Sequence, residues 1–123
     1  MTQAPVVLTP MAHVSDVARS IAFYERLGFV AENTHKRPDS EEIIWAWLRS
    51  LRAQLMLAKA DAPVSRAAQG VLFYVYVPDV DGYRDQLIAA GVDASEVTRP
   101  FYAPRGEFRV TDPDGYVLMV THT

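Results

Sequence analysis

The sequence contains no cysteine, which excludes disulfide bonds, thiolate nucleophiles and metal sites built from cysteine. Positive charge is also scarce, because 12 basic residues stand against 15 acidic ones and give a formal net charge of −3. A nucleic-acid-binding surface needs clustered positive charge, so we expect no nucleic-acid partner. No apolar run approaches the roughly 18–20 residues of a membrane-spanning helix, and the first ten residues lack the basic and apolar regions of a signal peptide. We therefore expect a cytoplasmic protein without a membrane partner.

The chain has 123 residues, half of them hydrophobic, which suits one compact domain. Within it the sequence repeats itself. The same interval separates four pairs of identical residues: Val14 and Val77, Asp16 and Asp79, Val17 and Val80, Gly28 and Gly91. That interval also maps Leu55–Leu57 onto Leu118–Val120. Because one interval holds across a helix and a later strand, we predict a single domain, 1–123, made of two modules, 5–60 and 68–123, with a linker at 61–70.

Each module shows the same order of local signals. Asp16 and Asp79 suit the N-cap of a helix, and Gly28 and Gly91 suit the left-handed residue that ends one. The predicted elements are a strand at 6–14, a helix at 17–27, strands at 42–48 and 53–58, a strand at 71–77, a helix at 80–90, and strands at 107–111 and 116–121. The segments 31–39 and 98–105 are irregular, so the order of elements in a module is βαβββ or βαββ. The expected fold is α+β, with two βαβββ modules and cupped mixed sheets.

Alternation along the strands separates the face under each helix from the opposite face, here called the open face. A shift of one residue in the last hairpin would bury Glu107 and Arg109 under a helix, so we predict that Arg109 pairs with Met119. The open faces then collect large aromatic and thioether side chains with few polar ones: Thr9, Met11, His13, Trp45, Trp47, Met56, Leu72, Tyr74, Tyr76, Glu107, Arg109 and Met119. We expect the cupped sheets to form a small-molecule cleft from these residues. The alternative is a second core or a dimer interface.

Two segments resemble the vicinal oxygen chelate superfamily, which includes glyoxalase I, the fosfomycin and bleomycin resistance proteins and the extradiol dioxygenases. Ser20–Phe29 reads S-x-x-F-Y-x-x-L-G-F, and Phe108–Gly115 reads F-x-x-x-D-P-D-G. The resemblance extends over essentially the whole chain. It implies paired βαβββ modules and a homodimer.

The resemblance also locates the positions at which members of the superfamily hold a metal ion. These positions are occupied here by Thr9, Met56, Leu72 and Met119. None of these side chains is a plausible ligand for a hard or borderline divalent ion. The resemblance therefore implies no metal, no cofactor and no catalytic residues, as in the bleomycin-resistance branch, which binds its drug by sequestration.

We accordingly predict a protein that sequesters an aromatic or cationic small molecule, with antibiotics among the candidates. The predicted ligand-binding residues are those of the open faces except Leu72, together with Tyr102, which lies on a proline-flanked loop that could close over the ligand. The aromatic rings would stack on the ligand, and Glu107, Arg109 or His13 would anchor it. Glu107 and Arg109 could instead form a simple ion pair with each other. The alternative function is an enzyme of the superfamily, of the lyase, isomerase or dioxygenase type, working by acid–base chemistry or with unrecognised metal ligands.

Overall fold

The computed structural model describes residues 2–123, which form two compact units, one ending at Val64 and one running from Ser65 to Thr123. The first unit contains β1 (Met11–Val14), α1 (Val17–Leu27), β2 (Val30–Lys36), β3 (Ile43–Ser50) and β4 (Ala53–Lys59). The second contains a single 3-10 turn (Arg66–Ala68), β5 (Leu72–Val77), α2 (Val80–Ala89), β6 (Glu107–Thr111) and β7 (Val117–His122). Within residues 2–123, no helix has the length and apolar character needed to cross a membrane.

The first unit is a four-stranded sheet with α1 on one face. The strand order is β1-β4-β3-β2, with β1 parallel to β4 and the other pairs antiparallel. The helix begins where Asp16 Oδ1 accepts a hydrogen bond from the Arg19 amide at 3.1 Å, and ends at Gly28 with φ of 110°. Both caps were predicted from the sequence. Leu48 and Leu57 are completely buried on the helix side of this sheet.

The second unit repeats the plan with a three-stranded sheet of order β5-β7-β6. Strand β5 runs parallel to β7, and β6 pairs antiparallel with β7. The predicted register is confirmed, because Arg109 lies opposite Met119. The predicted α+β class is likewise confirmed. Phe108 and Leu118 are buried on the helix side, as the alternation indicated.

Two segments of the first unit differ from the sequence-based prediction. The first strand begins at Met11 rather than at residue 6, and Val6 is 95 % exposed. Pro5 and Pro10 lack the amide hydrogen that a strand ladder uses, which limits pairing in this stretch. The irregular segment 31–39 contains most of β2, an edge strand of mainly polar, exposed residues that pairs only with β3. The composition of β2 does not indicate a strand, because an edge strand exposed on both faces has no apolar alternation.

The irregular segment of the second unit, 98–105, forms no regular strand. Its single sheet-like contact is an isolated antiparallel bridge, in which Thr98 and Glu107 exchange two backbone hydrogen bonds of 2.9 Å. Pro100 and Pro104 interrupt further pairing. The order of elements is therefore βαβββ in the first unit and βαββ plus one bridge in the second.

Candidate ligand-binding faces

The open face of the first unit is built around two tryptophans that β3 positions. Trp47 pairs directly with Met56 on β4, and Met56 pairs in turn with Met11 on β1, so the three side chains form a row across the sheet. Trp45 stands two residues from Trp47, and their rings meet edge to face with centroids 6.5 Å apart. Both indoles are half-buried, and Met11 is 44 % exposed. The indole Nε1 of Trp47 is buried and finds no hydrogen-bond partner within residues 2–123.

Two polar residues on this face were missed by the sequence analysis because they lie on β2. Asn33 pairs with Trp47, and His35 pairs with Trp45. Both residues fall in the segment 31–39, in which the sequence analysis placed no strand. His35, Trp45 and Ala58 form a second row across the sheet. His13 lies at the far end of that row, next to Ala58, as the alternation predicted. The signal that could have found Asn33 and His35 is their position directly after α1, where a repeat of βαβββ units requires a strand.

Thr9 lies just before β1 and is the polar group nearest in sequence to the apolar row. Its hydroxyl donates to Gln54 Oε1 on β4 at 3.3 Å. The hydroxyl proton of Thr9 is therefore already used within the protein.

The open face of the second unit carries tyrosines instead of tryptophans. Tyr74 and Tyr76 alternate along β5 and stack on each other, with centroids 6.3 Å apart and an angle of 28° between the rings. They are 48 % and 61 % exposed. Across the sheet, Tyr74 pairs with Met119, and Met119 pairs with Arg109. Leu72, at the start of β5, is 55 % exposed on the same face. Large apolar side chains with this degree of exposure are typical of a contact surface.

Glu107 is a buried carboxylate at the edge of this face. It is 6 % exposed, although it lies on the open side of the sheet. Thr121 on β7 and Thr98 flank its backbone, and the chain enters β6 at Gly106, whose φ of 108° is readily adopted only by glycine. The hydroxyl of Tyr102 donates to Glu107 Oε1 at 3.0 Å. Glu107 Oε2 is buried and has no hydrogen-bond partner in the part of the chain that the structure describes.

The suggested ion pair between Glu107 and Arg109 is not formed. The two residues point to the same side of β6, but the ion pairs found among residues 2–123 do not include them. The interaction that Glu107 makes instead is the one with Tyr102. This hydrogen bond and the nearby negative charge raise the pKa of the Tyr102 phenol above its usual value of 10.0, with smaller contributions from burial and from Tyr74. Tyr102 therefore keeps its proton, which it donates to Glu107.

The four residues that the resemblance places at metal-ligand positions offer little that a divalent ion would bind. Met56 and Met119 offer thioethers, Leu72 offers no donor atom, and the Thr9 hydroxyl is bonded to Gln54. Hard divalent ions prefer carboxylate and carbonyl oxygens, and zinc prefers imidazole and thiolate. In addition, no group of three or more histidine, aspartate or glutamate side chains within residues 2–123 is arranged to hold a metal ion.

A separate depression of about 400 Å³ lies in the second unit at the start of α2. It is lined by Pro78, Asp79, Val80, Asp81, Arg99, Pro104 and Arg105. Its charges are mutually engaged, since Arg99 and Asp81 form an ion pair at 2.9 Å and Asp79 caps the helix through the Gly82 amide at 3.0 Å. None of the predicted ligand-binding residues lines it, so we do not assign it to the ligand.

Known protein structures share the fold of this chain. The bleomycin-binding protein of bleomycin-producing Streptomyces verticillus, solved with copper(II)-bleomycin, aligns over 99 % of each chain with a TM-score of 0.73 and 19 % identity. The protein SMU.1112c aligns over 97 % of this chain and 99 % of its own, with a TM-score of 0.77 and 28 % identity. The fosfomycin resistance protein FosX of Listeria monocytogenes aligns over 100 % of this chain and 95 % of its own, with a TM-score of 0.66 and 13 % identity.

At such low identities the likenesses to the drug resistance proteins show a shared fold and no more. None of the curated proteins compared with the chain matches it. A sequence model of the Glyoxalase/Bleomycin resistance protein/Dioxygenase superfamily, however, matches residues 7–120. The chain therefore belongs to the glyoxalase/bleomycin resistance protein/dioxygenase superfamily.

Proposed function

We propose that this protein binds and sequesters an aromatic or cationic small molecule without a metal ion, through the aromatic open faces of its sheets. The observation that carries the proposal is the pair of half-buried tryptophans on β3, flanked by the thioethers of Met11 and Met56. Indole and thioether surfaces are flat, polarisable and tolerant of different guests, which suits the capture of a planar ring. The unpartnered Nε1 of Trp47 adds one hydrogen-bond donor for a ligand.

Similarity of fold supports the same proposal. A bleomycin-binding protein with this fold was solved in complex with its drug. In our chain the residues at the superfamily's metal positions are two thioethers, an alkyl group and a bonded hydroxyl. Such residues favour sequestration over chemistry that needs a metal ion to polarise a substrate.

Fluorescence provides a direct test, because Trp45 and Trp47 are the only tryptophans in the sequence and both lie on the open face of the first unit. We expect bleomycin or the planar dye acridine to quench the tryptophan emission saturably. Trp47→Leu, which keeps an apolar side chain but removes a ring, should weaken binding about three- to tenfold, since a ring–ring contact contributes about 0.5–1.5 kcal/mol. Trp45 remains as the reporter.

The matched control is Ile88→Ala, which removes a 47 % exposed apolar side chain from α2 in the second unit and should leave the quenching curve unchanged. Absence of quenching by both probes, or equal affinity in Trp47→Leu, would contradict the proposal. The absence of a metal ion is tested on the same preparation by elemental analysis. One divalent ion per chain, with ligand binding lost on chelation, would show that the protein uses a metal after all.

We also propose that the protein is a homodimer and that it is cytoplasmic. The support for a dimer is the superfamily resemblance together with the apolar N-terminal stretch, in which Val6, Val7 and Leu8 are 95 %, 61 % and 86 % exposed. An exposed apolar run of this kind is unfavourable in water and is typical of an interface. Sedimentation equilibrium should give about twice the chain mass of 13.7 kDa. A mass that stays at the monomer value across the concentration range would refute the dimer.

A further inference from the structure

The carboxyl group of Glu107 has no role in stacking a planar ring, yet it is buried and only one of its oxygens is hydrogen-bonded. It is 6 % exposed, its Oε1 is bonded to the Tyr102 hydroxyl, and its Oε2 is buried without a partner among residues 2–123. Burying a carboxyl oxygen with no donor costs free energy, so native structures rarely retain one without a reason. A donor supplied by a bound molecule is one such reason.

The surroundings of Glu107 determine which donor would fit. On one side of it the sheet carries Thr121 and then Tyr76, which pair in a single row, and Tyr76 stacks on Tyr74. The electron-rich faces of tyrosine rings attract cations. Tyr102 uses its one hydroxyl proton for Glu107, so its oxygen lone pairs are left to accept a hydrogen bond. The Thr121 hydroxyl already donates to the Gly106 carbonyl at 3.4 Å, and Glu107 Oε2 receives no donor among residues 2–123, so a cationic donor from a ligand would suit this place.

We propose that Glu107, Tyr102 and Tyr76 form a subsite for a protonated amine of the ligand. The inference rests on the proposed function, because it takes the open face of the second unit to be a ligand face. Only one carboxyl oxygen lacks a partner, which suits a single N–H of an ammonium group. A guanidinium or amidinium needs both oxygens for its paired hydrogen bonds. Tyr102 is 61 % exposed, so a small shift of its ring can admit the amine without loss of core packing while its hydroxyl stays in the subsite.

Nuclear magnetic resonance of the full-length ¹⁵N-labelled protein tests this subsite with three probes of one shape. Benzylammonium carries the positive charge, benzyl alcohol is its neutral match and phenylacetate is its anionic match. We expect saturable shifts of amide signals in β6, in Tyr76 and around Tyr102 with benzylammonium only. Comparable affinity for the alcohol or the anion would overturn the proposal, as would an absence of saturable shifts with benzylammonium. Shifts centred on Asp79 and Asp81, in the depression at the start of α2, would also overturn it.

Substitutions then separate a binding role from a structural one. Glu107→Gln keeps a carbonyl oxygen for the Tyr102 hydrogen bond but removes the charge, and it should weaken benzylammonium binding at least about tenfold, or 1.4 kcal/mol. Glu25→Gln makes the same change at an exposed site on α1 and should have no effect. Arg109→Gln removes a positive charge from the same face and should tighten binding. If Glu107→Gln folds normally and binds benzylammonium with unchanged affinity, Glu107 serves only to hold the Tyr102 loop and the proposal is wrong.

Failure of this inference and failure of the proposed function are distinguishable, because the two experiments report on different structural units of the protein. The quenching experiment reports on the tryptophans of the first unit, and the benzylammonium shifts report on β6 and Tyr102 of the second. Quenching by bleomycin or acridine without an amine response would refute the amine subsite alone. An amine response without quenching would leave the subsite standing and refute the tryptophan face as the ring-binding surface.

Discussion

Leu57→Ala is expected to lower the free energy of unfolding by about 2–5 kcal/mol, as large-to-small changes at fully buried leucines do. Leu57 is completely buried on β4, where its side chain faces α1. Its neighbour Met56 points to the open face beside Trp47 and is half-buried. Met56→Ala should therefore cost only about 1 kcal/mol of stability but should weaken quenching of the tryptophans by bleomycin or acridine. One step along a single strand therefore separates the residue that we expect to stabilise the fold from the residue that we propose contacts the ligand.

Chemical denaturation followed by circular dichroism measures the first effect, and the quenching titration measures the second. Leu57→Met is the control for the core, because it nearly conserves volume and should cost less than about 1.5 kcal/mol. If Met56→Ala destabilises the protein as much as Leu57→Ala while leaving ligand affinity intact, the open face is a second core. That outcome would favour the alternative that the sequence analysis left open.

The separation of the two faces could be predicted because it follows from a period of two and from the cost of burying charge. In the last hairpin only one register keeps Arg109 away from α2, and the structure has that register. The two aspartate caps and the glycines that end the helices were equally predictable. Asp16 and Asp79 accept from helix amides, and Gly28 and Gly91 adopt φ of 110° and 81°. These are local rules in which one side chain type satisfies one backbone need.

What the sequence did not indicate depends on contacts that are distant along the chain or absent from any periodic pattern. Strand β2 is polar and exposed, and it is a strand because β3 offers it a free edge. As a result Asn33 and His35 were not recognised as neighbours of the tryptophans. Alternation placed Glu107 on the correct side of β6, but its burial depends on the irregular segment 98–105 folding back beside it. No propensity scale reports that kind of contact, and the role we assign to Glu107 follows from it.

Asp112→Ala is the second substitution for which we expect a large effect, and it concerns the turn that holds β6 and β7 together. Asp112 is 1 % exposed, and its Oδ1 accepts from the amides of Asp114 and Tyr116, each at 2.9 Å. Its own amide donates to the Tyr116 carbonyl at 2.8 Å, and its carbonyl accepts from Gly115 at 3.0 Å. The D-P-D-G sequence is therefore a turn closed from inside by one carboxylate oxygen.

Alanine would leave two amides without their acceptor, and each loss costs about 1–3 kcal/mol, so we expect Asp112→Ala to lower the free energy of unfolding by about 2–6 kcal/mol. Asp112→Asn keeps an oxygen at Oδ1 and should cost less than about half as much. Both are measured by denaturant unfolding, and benzylammonium shifts recorded on folded Asp112→Asn should match the wild type, because Glu107 and Arg109 lie on β6, away from the turn. If asparagine proves as damaging as alanine, the negative charge of Asp112, and not its role as an acceptor, is what stabilises the hairpin of β6 and β7.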